Sequence, residues 1–281
     1  MAIRIFSLYR YQILPIDLQP NLLFDLEKLI QKKNFYFQEA VLNLKISGKD
    51  ENKKRYSYEL VRYIDSKIMM ITSRQKKVKY IREDHTEDKI ASFPFVYLIF
   101  DNDKDYQILA VENKSDYKPA TIVNLLEKTL QNYLKKYNLT VKFSPIYREN
   151  DFWLYLEKNK NNISSVTFSI ITPNMSNISS RLCDDIKTTA KMTGTAVTDL
   201  KLSADKNGSL HIDQGNTMLD GIIDYTSQGG GEISAQSKKS KLSFSSNDFQ
   251  LTIEVSEEFL KECLPNIIEI IREKAHVGDS R

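Results

Sequence analysis

Apolar and polar positions change period several times along the chain, and each change marks an element. "IRIFSLYRY" (residues 3–11) reads as a strand. Pro20 then opens "PNLLFDLEKLIQKK", where Leu22, Leu23, Leu26, Leu29 and Ile30 share one helical face. "FYFQEAVLNLKI" alternates in part and is expected to extend, until the polar "DENKKR" turns the chain. "YSYELVRYI" and "KIMMITSR" predict a hairpin joined at Asp65–Ser66. Pro94 introduces "FVYLIF", the most apolar strand and a candidate for the sheet centre. "DNDKD" turns the chain into "YQILAVEN", and a helix from about Pro119 to Lys136 follows with Ile122, Val123, Leu125, Leu126, Leu130 and Leu134 as its buried stripe. "TVKFSPIY" is a further strand whose Pro145 suits an edge.

The polar "RENDFW" marks a boundary near Asn150. Beyond it "ISSVTFSIIT" is a strand, and a helix runs to about Met192 and stops at Gly194. "AVTDLKLSAD" and "GSLHID" are expected to pair around the Lys206–Asn207–Gly208 turn. "NTMLDGIIDYTSQ" sets Met218, Leu219, Ile222 and Ile223 on one helical face. "EISAQS", "KLSFS" and "FQLTIEV" read as strands before a last helix over about Ser256–Lys274. Helices and strands mix without strict alternation, which predicts an α+β fold in two sheet-plus-helix subdomains, residues 1–150 and 151–281.

The glycine triplet Gly229–Gly231 follows a helix and precedes Glu232 and a strand. A phosphate-binding P-loop needs a Gly-Lys pair opening a helix, and a dinucleotide fold needs G-x-G-x-x-G; neither is present. The triplet is therefore a helix stop and joint. Downstream, Lys238, Lys239 and Lys241 are expected on a hairpin tip or exposed edge.

Charge adds a direction. The net charge is only +3, but residues 49–82 hold eleven Lys/Arg against four Asp/Glu, whereas residues 256–281 hold six acids against four bases. Such asymmetry suits an anionic partner on one face. Lys53, Lys54 and Arg55 precede the predicted hairpin and Arg74, Lys76, Lys77, Lys79 and Arg82 follow it, so the two tracts meet at its open end. Binding there would run through phosphates rather than base edges, because no helix-turn-helix, zinc-finger or RNP pattern occurs. Tyr80 is a candidate for stacking.

Other chemistry has little support. His85, His211 and His276 show no ligand spacing, no metal site or cofactor signature is expected, and no G-x-S-x-G elbow occurs. Cys183 and Cys263 sit at apolar positions of helix-like segments, which predicts buried reduced thiols. One enzymatic alternative is open. Asp105, Glu112 and Lys114 form an acid…Glu-x-Lys arrangement similar to restriction-type nucleases, with Glu27 as an additional acid. No apolar run approaches the ~20 residues of a membrane span. The broken apolar stretch at residues 1–17 lacks a secretory layout, so a cytoplasmic protein is expected.

Four stretches carry a resemblance. "IFSLYRYQ", "YELVRYIDSKIMMITSRQKKVKYI", "ASFPFVYLIFDNDKDYQILAVENKSDYKPATIVNLL" and "VKFSPIYRENDFWLYLEKNKNNISSVTFSI" resemble, in order and kind, the strand, hairpin-plus-basic segment, Phe-Pro strand unit and domain entry of the RexA family of phage-exclusion proteins. The resemblance implies a homodimeric, sequence-tolerant DNA-binding protein that senses phage replication or recombination intermediates. It also implies a small membrane-protein partner. No small-molecule substrate is expected. RdgC-like and Kiwa-type DNA-binding proteins are neighbouring families. A protein-interaction module without DNA binding is the other alternative.

Overall fold

The computed structural model describes residues 2–16, 26–46, 55–172, 178, 182–238 and 243–276 of the 281. Strand β1 (Ile3–Pro15) opens the chain and helix α1 (Leu26–Leu42) follows. The expected helix start at Pro20, with Leu22 and Leu23, lies outside the described residues. The expected extended segment at 35–46 is instead largely helical, because α1 continues to Leu42. The buried positions Leu29, Lys33, Phe37, Ala40, Val41 and Leu44 explain this, since they recur every three or four residues. The local alternation of Phe35 and Phe37 is the weaker signal.

Next come β2 (Ser57–Ile64), β3 (Lys67–Ser73), β4 (Lys76–Ile81), β5 (Glu87–Ser92), β6 (Phe95–Asp101) and β7 (Ile108–Glu112). The predicted β2–β3 hairpin forms, with Asp65 at φ +53° in its turn and Val61 as the extra residue of a bulge between Leu60 and Arg62. Helix α2 (Pro119–Leu134) buries the predicted stripe of six aliphatic residues. Strand β8 (Leu139–Pro145) follows and pairs with β1 alone. The first sheet is antiparallel, in the order β13-β1-β7-β6-β3-β2, with β13 (Thr252–Ser256) and β8 in succession along the same side of β1. One face packs beneath α1 and α2 through Tyr11, Ile13, Phe37, Leu98, Phe100, Leu126 and Leu130. The other buries Phe6, Leu8, Ile99, Ala110 and Ile253 beneath α6 (Glu257–Glu262) and α7 (Leu264–His276).

The second sheet contains β9 (Ile163–Ile171), β10 (Val197–Ser203), β11 (Gly231–Ser237) and β12 (Phe244–Ser245), in the order β10-β9-β11-β12. Its core gathers Phe152 and Leu156 of α3 (Glu149–Lys158), Ile222, Ile223 and Tyr225 of α5 (Thr217–Tyr225), and Phe168, Ile233 and Phe244. Helix α4 (Asp184–Thr193) ends at Gly194 as expected, and Gly194 takes a positive φ of +66°. Two sequence expectations change here. Residues 208–213 form no strand: β10 pairs with β9 instead, and Leu210 donates one backbone hydrogen bond to Ile163. The chain also returns to the first sheet at β13, so the helices at 257–276 belong to that unit rather than to a subdomain spanning 151–281. Cys183 and Cys263 are free and only half-buried.

The glycine triplet stops a helix, as predicted, but it is a packed seam rather than a joint. Residues 221–231 are all buried, and Gly229, at φ +84°, leaves no room for a Cβ against that of Arg10. Arg10 reaches across this seam from the first sheet. Its Nε donates to the Gln228 carbonyl (2.5 Å) and its Nη1 to the Tyr106 carbonyl (2.6 Å). Tyr225 accepts from Gln12 Nε2 (3.0 Å) and donates to the Ile171 carbonyl (2.9 Å), which ties both sheets to one residue.

Candidate nucleic-acid interface

The described ends of the two basic tracts, Arg55 and Arg74, meet at the hairpin end that the sequence predicts. Ser57 pairs with Ser73, so Arg55 and Arg74 flank the open end of the β2–β3 hairpin. Arg74 is fixed there. Its guanidinium lies 5.7 Å from the Tyr56 ring and 5.2 Å from the Tyr117 ring, and it donates to the Tyr56 hydroxyl (3.2 Å) and the Asp116 carbonyl (3.0 Å). Tyr117 in turn donates to the Pro94 carbonyl, and its hydroxyl accepts the Arg74 amide (3.2 Å). These contacts anchor the root of strands β4 and β5.

From that root β4 and β5 leave the main sheet as a separate two-stranded ribbon. All six residues of β4 are exposed. Side chains alternate between faces, and the register Lys77↔Ala91, Lys79↔Lys89 and Ile81↔Glu87 puts three lysines on one face. The other face carries Val78 opposite Ile90, with Lys76 and Tyr80 beside them. Lys79 and Lys89 stand directly opposite each other, an arrangement that costs folding free energy in a sheet.

Charge also divides the ribbon lengthwise. Of six Lys/Arg between Arg74 and Ser92, five lie at 74–79 and 89; all four acids lie at 83–88, around the turn. Arg82 pairs with Asp88 at the turn, and Lys79 with Glu87 (2.8 Å). The Lys89 amide, then Arg82, hold the Asp88 carboxyl below its usual range. Lys76 meets Asp116 (2.7 Å) at the root, and that contact depresses the Asp116 carboxyl. Lys77 has no carboxylate partner among the described residues.

The remaining predicted cations do not all join this surface. Lys53, Lys54, Lys239 and Lys241 lie outside the described residues. Lys238, at the end of β11, belongs to the second sheet, where its ammonium caps a turn by donating to the carbonyls of Asp205 (3.0 Å), Lys206 (2.7 Å) and Gly208. Sequence reasoning misses Lys89 because it assigns no strand to residues 87–92. A signal is present in Asp84, whose carboxylate accepts from the Thr86 amide (3.0 Å) and so closes the ribbon's turn.

The nuclease arrangement does not converge. Asp105 is exposed in the turn before β7, whereas Glu112 ends β7, roughly 15 Å further along at about 3.4 Å per residue. Glu112 is buried and already engaged, accepting from Arg4 Nη1 (2.6 Å) and from the Tyr97 amide (3.0 Å). Lys114 Nζ donates to the Phe95 carbonyl (3.1 Å). Glu27 sits on α1, across the sheet from Glu112, which pairs with Phe6 on the α6–α7 side. Among the described residues no group of three or more His, Cys, Asp or Glu side chains is placed to hold a metal ion, and no helix is long and apolar enough to cross a membrane. Comparison of the chain with protein-family profiles, with curated proteins and with solved structures finds no match.

Proposed function

We propose that this protein binds DNA without sequence preference, through the lysine face of the β4–β5 ribbon and Arg55 beside its root. One observation carries the reading. Lys79 and Lys89 oppose each other on an exposed ribbon, with Lys77 on the same face, and an external polyanion would offset that repulsion. Arg55, Lys77, Lys79 and Lys89 are the phosphate contacts in this reading, with Lys53 and Lys54 beside Arg55 in the sequence. Phosphate contacts demand charge but little geometry, which suits a ribbon of flexible lysines. The RexA-like order of segments adds the setting: a cytoplasmic homodimer that senses phage DNA intermediates and acts with a small membrane protein.

The test is a mobility-shift titration with duplexes of unrelated sequence, in magnesium, at low and raised salt. The expected result is a shift of every duplex that weakens steeply with salt, without cleavage, and that Lys77→Glu weakens alike for all. Unchanged affinity in Lys77→Glu would remove this face from the interface. The exposed Val78, Tyr80 and Ile90 on the reverse face favour a second reading, docking of a protein. Binding to no duplex at low salt would favour that reading.

A further inference from the structure

A cavity of 340 Å³ opens between α3 and the irregular stretch at 208–214, on the second sheet and away from the ribbon. Its floor is apolar: Leu156 and Ile163 are buried, and Leu210 and Ile212 pack against the same core. Its wall is Trp153, whose indole Nε1 donates to the Glu149 carboxylate (2.7 Å) and whose ring leans on Phe152 at 5.9 Å between centroids. A ring anchored at both its edge and one side offers a preset surface for stacking, with little left to order on binding.

The rim carries the specificity. Glu157, Lys160, His211, Asp213 and Gln214 all line the opening, and none makes a side-chain hydrogen bond or ion pair within the chain among the described residues. Their chemistry is mixed: two carboxylates and an amide oxygen to accept, an amide and an imidazole to donate, and a single cation. A polyphosphate would be repelled by the carboxylates, whereas one phosphate can be met by Lys160 on the rim, and a purely apolar guest would leave the rim unanswered. A planar heteroaromatic ring with amino groups on its edge and one phosphate attached meets each demand. The volume is at the lower end of the ~300–1,000 Å³ of small-ligand sites, which suits one such unit.

We infer that this cavity is a binding site for a single amino-bearing nucleobase with its phosphate, stacked on Trp153, with Asp213 and His211 at the base edge and Lys160 at the phosphate. The base belongs either to a free mononucleotide or to an unpaired residue of a strand, two sources of the same chemistry. The site does not depend on the ribbon, so the two readings fail separately.

Trp153 is the only tryptophan in the chain, so its fluorescence reports the site directly. The full-length protein is titrated with deoxyadenosine and deoxycytidine monophosphates, with ribose 5-phosphate as a baseless control, and with a short single-stranded oligonucleotide. Expected is a saturable quench by the nucleotides and none by ribose 5-phosphate. Asp213→Asn and His211→Ala should each weaken it about tenfold, while Lys160→Gln weakens the nucleotides but leaves the matching nucleosides unchanged. These are surface side chains, and circular dichroism checks that each variant stays folded. A strand that binds tighter than the mononucleotide identifies an unpaired base as the guest, and the reverse order identifies free nucleotide. A quench that rises linearly without saturating, or that is equal in wild type and Asp213→Asn, overturns the proposal. Lys77→Glu should weaken duplex binding and leave the quench intact, which keeps this test apart from that of the ribbon.

Discussion

Replacing Lys89 by threonine should move two measurements in opposite directions. Lys89 faces Lys79 across the ribbon, and like charges directly opposite are unfavourable, by analogy with the ~0.2–1 kcal/mol of favourable cross-strand pairs. Threonine also suits a strand, so Lys89→Thr should stabilise the ribbon by about 0.5 kcal/mol, read as slower hydrogen exchange of the β4 and β5 amides. DNA affinity should fall at the same time. Four phosphate contacts, from Arg55, Lys77, Lys79 and Lys89, give a slope of log affinity against log salt of about −3.6, or roughly 150-fold between 50 and 200 mM. Three contacts give about −2.7, or roughly 40-fold. Fluorescence anisotropy of a labelled duplex across that salt range resolves the difference. An unchanged slope together with slower exchange would mean that the opposed lysines meet no phosphate. Faster exchange would refute the repulsion itself.

Three further outcomes rest on the core. Burial lowers the pKa of Lys33 to about 8, below its unfolded value, so the native state sheds a proton that the unfolded chain still holds above that pH. Stability should therefore rise by about 2 kcal/mol between pH 7 and 9.5, and Lys33→Met should abolish that rise in urea titrations. Gly229→Ala should cost about 3 kcal/mol, ~1–2 from the left-handed backbone and ~1–3 from overlap with Arg10, seen as a lower urea midpoint. Arg272→Met should cost about 3 kcal/mol in the same assay, because the fully buried Asp101 carboxylate loses both hydrogen bonds (2.6 and 2.9 Å) that Arg272 donates.

Most elements are legible because each obeys a short-range rule. Helix α2 needs only Pro119 at its start and a stripe of aliphatic residues, and the β2–β3 hairpin only two alternating runs around Asp65–Ser66. The failures share a different cause. At residues 35–46 two phenylalanines alternate locally, yet burial follows a helical period that becomes visible only from Leu29 onward. The return of residues 252–276 to the first sheet is invisible because nothing local in "FQLTIEV" distinguishes a partner in β1 from one in β11. That choice is made by long-range packing. Arg10 is the sharpest case: on sequence it is a cation within an alternating strand, and only the seam at Gln228–Gly229 explains why it is buried.

The candidate interface shows which part of a charge pattern survives folding. Counting Lys and Arg from 49 to 82 finds cations that folding does bring together, since Arg55 and Arg74 meet at one hairpin end. Counting cannot separate cations held by a neighbour from those facing outward. Lys76 and Arg82 lie in the same tract as Lys77, yet Asp116 holds the first and Asp88 the second. Asp116 is forty residues from Lys76 in the chain, so no window over the tract would include it. Lys89, which lies outside the counted window, joins the outward set through the strand register. What an approaching polyanion would meet is therefore set by pairing across the ribbon, so removing Lys77 or Lys89 should alter the salt slope more than removing Lys76, Lys79 or Arg82, whose loss also frees an acid.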